Sequence, residues 1–317
     1  MTGSHWQHRI ITVFGGGGFI GRYVCEALFK TGVRVRVAQR SPRDAFFLQP
    51  LASVGQLDLV RADFNRPATL EAAVENAWGV INLVGAFAGN LDQVHGAAPG
   101  RTAELAAATG AKSLVHVSAI GVDRDSPSFY ARSKAEGEER VRAAFPGAVV
   151  IRPSVVFGPE DQFTNRFANM ARLPFLPVLG GRTRFQPIYV RDLGQAIARA
   201  ALEPERFAGQ SFELSGPDVM TMRELNAAIA EAAGKKPELI DLPDFVGDAM
   251  SRLGFLPGAP ITRDQWLMLQ RDNVASGPGL EAFGIEPTPL AAVAPEWLGR
   301  FHKGGRFASR RAQASAG

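Results

Sequence analysis

The chain has 317 residues, 46% hydrophobic and 21% charged, with 35 Lys and Arg against 31 Asp and Glu for a net charge of +4. These proportions exclude a disordered or fibrous chain and suit one large or two small globular domains. The single Cys25 excludes a disulfide framework and a Cys-based zinc site, and no apolar run reaches the ~18 residues that would span a bilayer. Residues 1–9 are polar and lack the apolar stretch of a secretory leader, which points to a cytoplasmic protein.

Taken in chain order, residues 9–14 form a β-rich run, followed by a glycine cluster and a helical segment over 19–31 that stops at Gly32. Strand-period or apolar runs follow at 33–38, 57–62, 79–84, 113–118 and 148–152. Between them lie helical segments at 69–76, 97–109 and 133–145. The nearly continuous apolar run at 79–84 is that of a strand covered on both faces. This alternation predicts an α/β fold with a parallel sheet between two helical layers. From about residue 159 Pro and Gly become denser and the rhythm is lost. The expected division is 1–158 with parts of 185–215, a smaller C-terminal portion over 159–299, and a tail over 300–317.

Gly15, Gly18 and Gly21 are spaced three apart, directly after the first strand and opening the first helix. A pyrophosphate needs this arrangement: a tight turn, close backbone approach, and a helix N-terminus facing the phosphates. The fold is therefore expected to be a Rossmann-type doubly wound sheet that holds a dinucleotide on Gly15, Gly17, Gly18, Phe19, Ile20 and Gly21. An acidic residue about 20 positions further on would accept a ribose 2′-OH. Here Arg40 stands in that region with no Asp or Glu nearby, and Arg22 and Arg43 add positive charge, which favours NADP(H) over NAD(H). Asp63 is placed to accept the adenine amine. Phe64, Val84, Gly85, Ala86, Val117, Ser118, Pro153 and Val155, at the ends of later strands, complete the expected cofactor set with Tyr130 and Lys134.

Tyr130 and Lys134 are four apart, which on a helix puts both side chains on one face. An ammonium beside the phenol favours tyrosinate, so the pair could exchange a proton with a substrate hydroxyl during hydride transfer. The five His are scattered without metal-ligand spacing, and no metal is expected. Trp266–Leu269 reads as core, or alternatively as an interface or membrane-surface anchor. No aromatic-basic interleaving accompanies the positive charge, which argues against a nucleic-acid partner.

On the glycine motif, Tyr130-x-x-x-Lys134, the run Arg152–Pro159 and the element Gln186–Leu193, the chain resembles the extended or atypical branch of the short-chain dehydrogenase/reductase superfamily. The runs 80–85, 115–118 and 156–163 are similar to those of the nucleotide-binding accessory subunit of respiratory complex I and its bacterial relatives. That resemblance implies a tightly held NADPH. It also implies partners among complex I subunits or quinone-biosynthesis proteins, and peripheral contact with the cytoplasmic face of the inner membrane. Active members of the superfamily carry a Ser or Thr beyond the fifth strand. Its usual position is occupied here by Ile120, leaving Ser118 as the nearby hydroxyl. Two functions follow: an NADP(H)-binding accessory or assembly protein, or an NADPH-dependent reductase or epimerase/dehydratase that uses Tyr130 and Lys134.

The net charge itself is unevenly placed. Arg300, Lys303, Arg306, Arg310 and Arg311 lie in the last 18 residues with no acid among them, and residues 1–299 carry a net charge of −1. The basic excess is thus a tail suited to solvent or to an anionic partner or lipid surface.

Overall fold

A computed structural model of the chain describes residues 8–87, 89–254, 261–277 and 279–302. It divides into two units. The first comprises the residues up to Pro153 together with Val190–Leu214 and Ala275–Glu286; the second comprises Ser154–Tyr189, Ser215–Val274 and the residues from Pro287 onward.

The first unit is built on a parallel sheet of β1 (Ile10–Phe14), β2 (Arg34–Gln39), β3 (Leu57–Arg61), β4 (Gly79–Asn82), β5 (Ser113–Val117), β6 (Val149–Pro153) and the strand Ser211–Leu214. Their spatial order is Ser211–Leu214, β6, β5, β4, β1, β2, β3, and every pairing is parallel. The strand order therefore reverses between β1 and β4, the switch point at whose carboxyl ends open α/β sheets bind their ligands. The expected α/β fold is the one found. β4 and β5 are buried at every position, which explains their apolar continuity.

Helices α1 (Phe19–Phe29), α2 (Pro67–Val74), α3 (Ala98–Ala108) and α4 (Phe129–Ala144) cover the sheet, with the helix Val190–Leu202 beside α1. The α2–α3 layer closes a core of Phe14, Leu70, Val74, Val80, Ala103, Leu114 and Val141. Where α1 meets Val190–Leu202, a Cβ on Gly194 would come within 2.8 Å of the Tyr23 carbonyl carbon, so only glycine lets the two backbones touch. Arg152 and Glu138 form a bidentate pair, 2.9 and 2.6 Å, with Glu138 buried, which fixes α4 to the end of β6.

Two short elements escape periodicity: 3-10 turns over Pro42–Leu51 and a π-helical turn over Asp92–Ala97. The helix expected from residue 133 starts at Phe129, because Ser128 caps it by accepting the Ala131 N–H at 3.2 Å.

In the second unit, Asn273 joins three segments. Its side chain accepts from Ser154 Oγ at 2.6 Å and from the Val155 N–H at 3.0 Å, and its carbonyl accepts from the Gln186 N–H at 3.1 Å. Phe157, Tyr189 and Trp297 stack against one another, Tyr189 and Trp297 at 5° between planes. In the Trp266–Leu269 run Trp266, packed on Gly247, and Leu269 are buried, whereas Leu267 and Met268 are partly exposed. Arg300 donates to Asn165 Oδ1, whereas Lys303, Arg306, Arg310 and Arg311 lie outside the described residues. Among the described residues no helix is long and apolar enough to cross a membrane.

Candidate functional site

The carboxyl ends of β1 and β2 shape the first part of the site. Gly15 turns the chain at φ +80, a conformation L side chains rarely adopt, and its N–H donates to the Ala38 carbonyl at 3.1 Å. Gly18 donates back to the Gly15 carbonyl at 3.0 Å and opens α1 without a side-chain cap, so the first-turn N–H groups are left for an anion. A Cβ on Gly21 would meet the Gly15 carbonyl oxygen and come within 2.6 Å of Gly16 Cα. A Cβ on Gly17 would fall on the Gln39 side chain. At Gly17 and Gly21 the turn therefore leaves no room for a side chain.

Gln39, the last residue of β2, is a feature that sequence reasoning missed. Its Oε1 accepts the Gly17 N–H at 3.0 Å and its Nε2 donates to the Ser41 carbonyl at 2.6 Å. Arg40 follows it and is exposed, Arg43 is exposed, and Arg22 lies over the Phe47 ring at 4.2 Å. Asp63 is half-buried, and its Oδ1 accepts the Asn65 N–H at 3.0 Å. Phe64 stacks on Phe14, centroids 6.1 Å apart, as a partly buried wall of the core at the end of β1.

The ends of β4 and β5 and the first turns of α4 form the second part. Tyr130 and Lys134 share a face of α4 and are both buried, with the Lys134 Nζ 6.0 Å from the phenol ring centroid. Lys134 donates to the Val117 carbonyl at 3.1 Å, and a Cβ on Gly85 would lie 3.5 Å from its Nζ. Burial lowers the Lys134 ammonium to about 8, against a smaller raising effect of Glu138 one turn on. Burial also raises the Tyr130 phenol to about 12. Burial, the cause of that shift, acts in the direction opposite to the acidification expected from the pairing. Ser118 Oγ is buried with no hydrogen-bond partner among the described residues, and Ile120 beyond it is buried, its N–H donating to the Pro153 carbonyl at 3.1 Å.

His95 is the second feature missed. Its Nε2 accepts the Ala86 N–H at 3.0 Å and its Nδ1 lies 3.0 Å from Ser133 Oγ. Burial first, and the Lys134 charge second, lower its imidazole to about 3, so it is neutral at ordinary pH. No spacing rule finds it, since its partner on α4 lies 38 residues away.

The fold brings Gly15, Gly17, Gly18, Gly21, Gln39, Gly85, Val117, Ser118, Tyr130 and Lys134 to the carboxyl edge of one sheet. Val155 belongs to the second unit, where Asn273 holds its N–H.

Residues 11–215 match the NAD dependent epimerase/dehydratase family. The chain belongs to that family. Among relatives, it is 34% identical over 302 residues to "NADH dehydrogenase [ubiquinone] 1 alpha subcomplex subunit 9, mitochondrial" of Rattus norvegicus, covering 92% of this chain and 80% of that protein. It is 32% identical over 240 residues to a ceramide reductase of Caulobacter vibrioides, 74% of each chain. The NADPH-dependent quinone oxidoreductase of Escherichia coli, solved with NADPH, superposes with a TM-score of 0.73 at 20% identity over 90% of this chain and 99% of that one, a likeness of fold. The epimerase/dehydratase family binds NAD(P), and the observed cradle fits such a ligand on two counts. The glycines make a turn too tight for a Cβ, the close backbone packing that a pyrophosphate site needs, and the buried Ser118 hydroxyl has no hydrogen-bond partner among the described residues.

The Lys134 environment carries a stability consequence. Its ammonium titrates near 8 in the fold and near its ordinary 10.5 in the unfolded chain. Between those values the unfolded chain binds the extra proton, so raising the pH stabilises the fold. Urea unfolding should therefore show the wild type gaining about 2 kcal/mol relative to Lys134→Met between pH 8 and pH 10. Parallel pH profiles for the two proteins would contradict the buried ammonium.

Proposed function

We propose that this chain is an NADP(H)-binding accessory protein of respiratory complex I, peripheral to the membrane on its cytoplasmic face. The observation that carries this reading is the 34% identity to a complex I subunit across 92% of the chain, with the nucleotide cradle intact. The preference for NADP(H) rests on the end of β2. It bears the uncharged Gln39 and the exposed Arg40, and no carboxylate there would repel a 2′-phosphate. In this reading Gly15–Gly21 hold the pyrophosphate, Asp63 and Phe64 border the adenine, and Tyr130, Lys134 and Ser118 face the ribose and nicotinamide.

Affinity purification of the tagged chain from native membranes tests the assignment. Complex I subunits should co-elute, and NADPH should remain on the protein after extensive dialysis. An eluate of quinone-biosynthesis proteins in place of complex I subunits would move the assignment to that process, and an eluate of the chain alone would remove it.

A second reading is favoured by the juxtaposed Tyr130 and Lys134 and by the likeness to a ceramide reductase. As a reductase, the protein would use the nicotinamide as the hydride source. Tyr130 would protonate the carbonyl oxygen, Lys134 would stabilise the resulting tyrosinate, and Ser118 would donate a hydrogen bond to the same oxygen. A Tyr130→Phe variant that keeps NADPH and loses a measured carbonyl-reducing rate would establish it.

A further inference from the structure

The segment after β4 is tied to α4 by a closed set of contacts. Because the Ala86 N–H donates to His95 Nε2, that nitrogen is bare and the ring proton sits on Nδ1, which donates to Ser133 Oγ. Ser133 in turn donates to the Tyr130 carbonyl at 3.0 Å. The His95 ring stands edge-on to the Tyr130 ring, centroids 5.1 Å apart at 84°. Phe87, next to the anchored Ala86, lies flat on the other ring, with centroids 5.0 Å apart and 11° between planes. Phe87 is 64% exposed, whereas Tyr130 is 8% exposed. A large apolar side chain left this open buries little of itself, and the ring it lies against is the phenol beneath it.

The geometry points to Phe87 as a cover that shields Tyr130, and to His95 as the positioning residue that latches the cover through Ala86 and Ser133. His95 sits in the π-helical turn Asp92–Ala97, a kind of local unwinding that is common at functional sites. The turn presses on α4 so closely that a Cβ on Gly137 would overlap the His95 carbonyl oxygen. The imidazole is therefore held by backbone on one side and by Ser133 on the other. The latch is a property of the chain itself. Its bearing on chemistry rests on the reading of Tyr130 as proton donor.

Tyrosinate absorbance in the absence of cofactor and substrate tests it, and so its failure is separate from any failure of the functional assignment. The chain has three tyrosines, and the difference from Tyr130→Phe isolates the Tyr130 step. The titratable groups that face the Tyr130 ring are Lys134 and His95. His95 is neutral, so removing it takes no charge away from the phenol, and a change reports lost cover.

Phe87→Ala should move the Tyr130 midpoint about one pH unit down toward its ordinary value. His95→Ala should do the same with Phe87 present. The double variant should move no further than either single one, and His95→Gln, which restores an acceptor for Ala86, should return most of the shift. Ser133→Ala serves as the second latch variant if His95→Ala fails to fold. An unchanged midpoint in Phe87→Ala would refute the cover. A shift in Phe87→Ala without one in either latch variant would refute the role of His95.

Discussion

Gly137→Ala should cost the protein about 3 kcal/mol of stability, seen as a lowered urea midpoint by circular dichroism. The substitution ought to help on local grounds, since Gly137 lies in the interior of α4 and alanine is better there by about 1 kcal/mol. Packing decides otherwise. A Cβ at this position would overlap the His95 carbonyl oxygen and approach its carbon at 3.0 Å. Both are backbone atoms, which cannot swing aside as a side-chain end can. The neighbouring contact is also tight, with a Cβ on Gly100 2.9 Å from Arg140 Cβ. The helices would have to part, opening the layer that carries His95 and Ser133. Gly147→Ala is the internal control, because its Cβ would meet ordinary contacts of 3.5 Å or more. Equal midpoints for the two variants would show that α4 and the π-helical turn are not in close contact.

Much of this architecture can be read from local pattern, and the exceptions share a cause. β4 and β5 announce themselves because strands buried on both faces need unbroken apolar runs. The nucleotide turn is legible because close backbone approach leaves glycine as the residue that fits. Tyr130 and Lys134 are legible because helix periodicity alone aligns them. The start of α4 is harder to read: Phe129 and Tyr130 are indifferent helix formers, and the helix begins there because Ser128 caps it.

His95 and Gln39 acquire their roles from distant chain segments. Gln39 meets Gly17 across 22 residues, and His95 meets Ser133 across 38, so neither contact leaves a periodic trace. Arg40 is conspicuous in the sequence because it is charged, yet it is the uncharged residue before it that touches the glycine loop. The direction of the Tyr130 shift was hidden for the same reason. Spacing shows that an ammonium is near, while the depth of burial that raises the phenol depends on the whole fold.

Gly21→Ala should lower the affinity for NADPH by about 100-fold or more, close to 2.7 kcal/mol, while leaving the sheet folded. The first turn of α1 rests directly on the Gly15–Gly16 backbone, and a Cβ on Gly21 would drive into the Gly15 carbonyl oxygen and Gly16 Cα. The turn can relieve this only by lifting the N-terminus of α1 away from the end of β1. That motion rotates the first-turn N–H groups off the position where they would meet a pyrophosphate, and it weakens the favourable end of the helix dipole at the same place. The strands would be spared, since the β1 pairings with β2 and β4 end at Phe14, before the turn begins.

Gly18→Ala offers a graded comparison. Its Cβ would stand 3.2 Å from the Gly15 carbonyl oxygen, a contact that small adjustments absorb, so its loss of affinity should stay within about tenfold. Fluorescence titration of NADPH against the three proteins, with far-UV circular dichroism to confirm the fold, measures both effects. If Gly21→Ala bound NADPH as tightly as the wild type, the nucleotide would have to lie outside the cradle. The order of the two variants is the sharper reading, because a ligand held elsewhere would have no reason to rank them by their distance from Gly15.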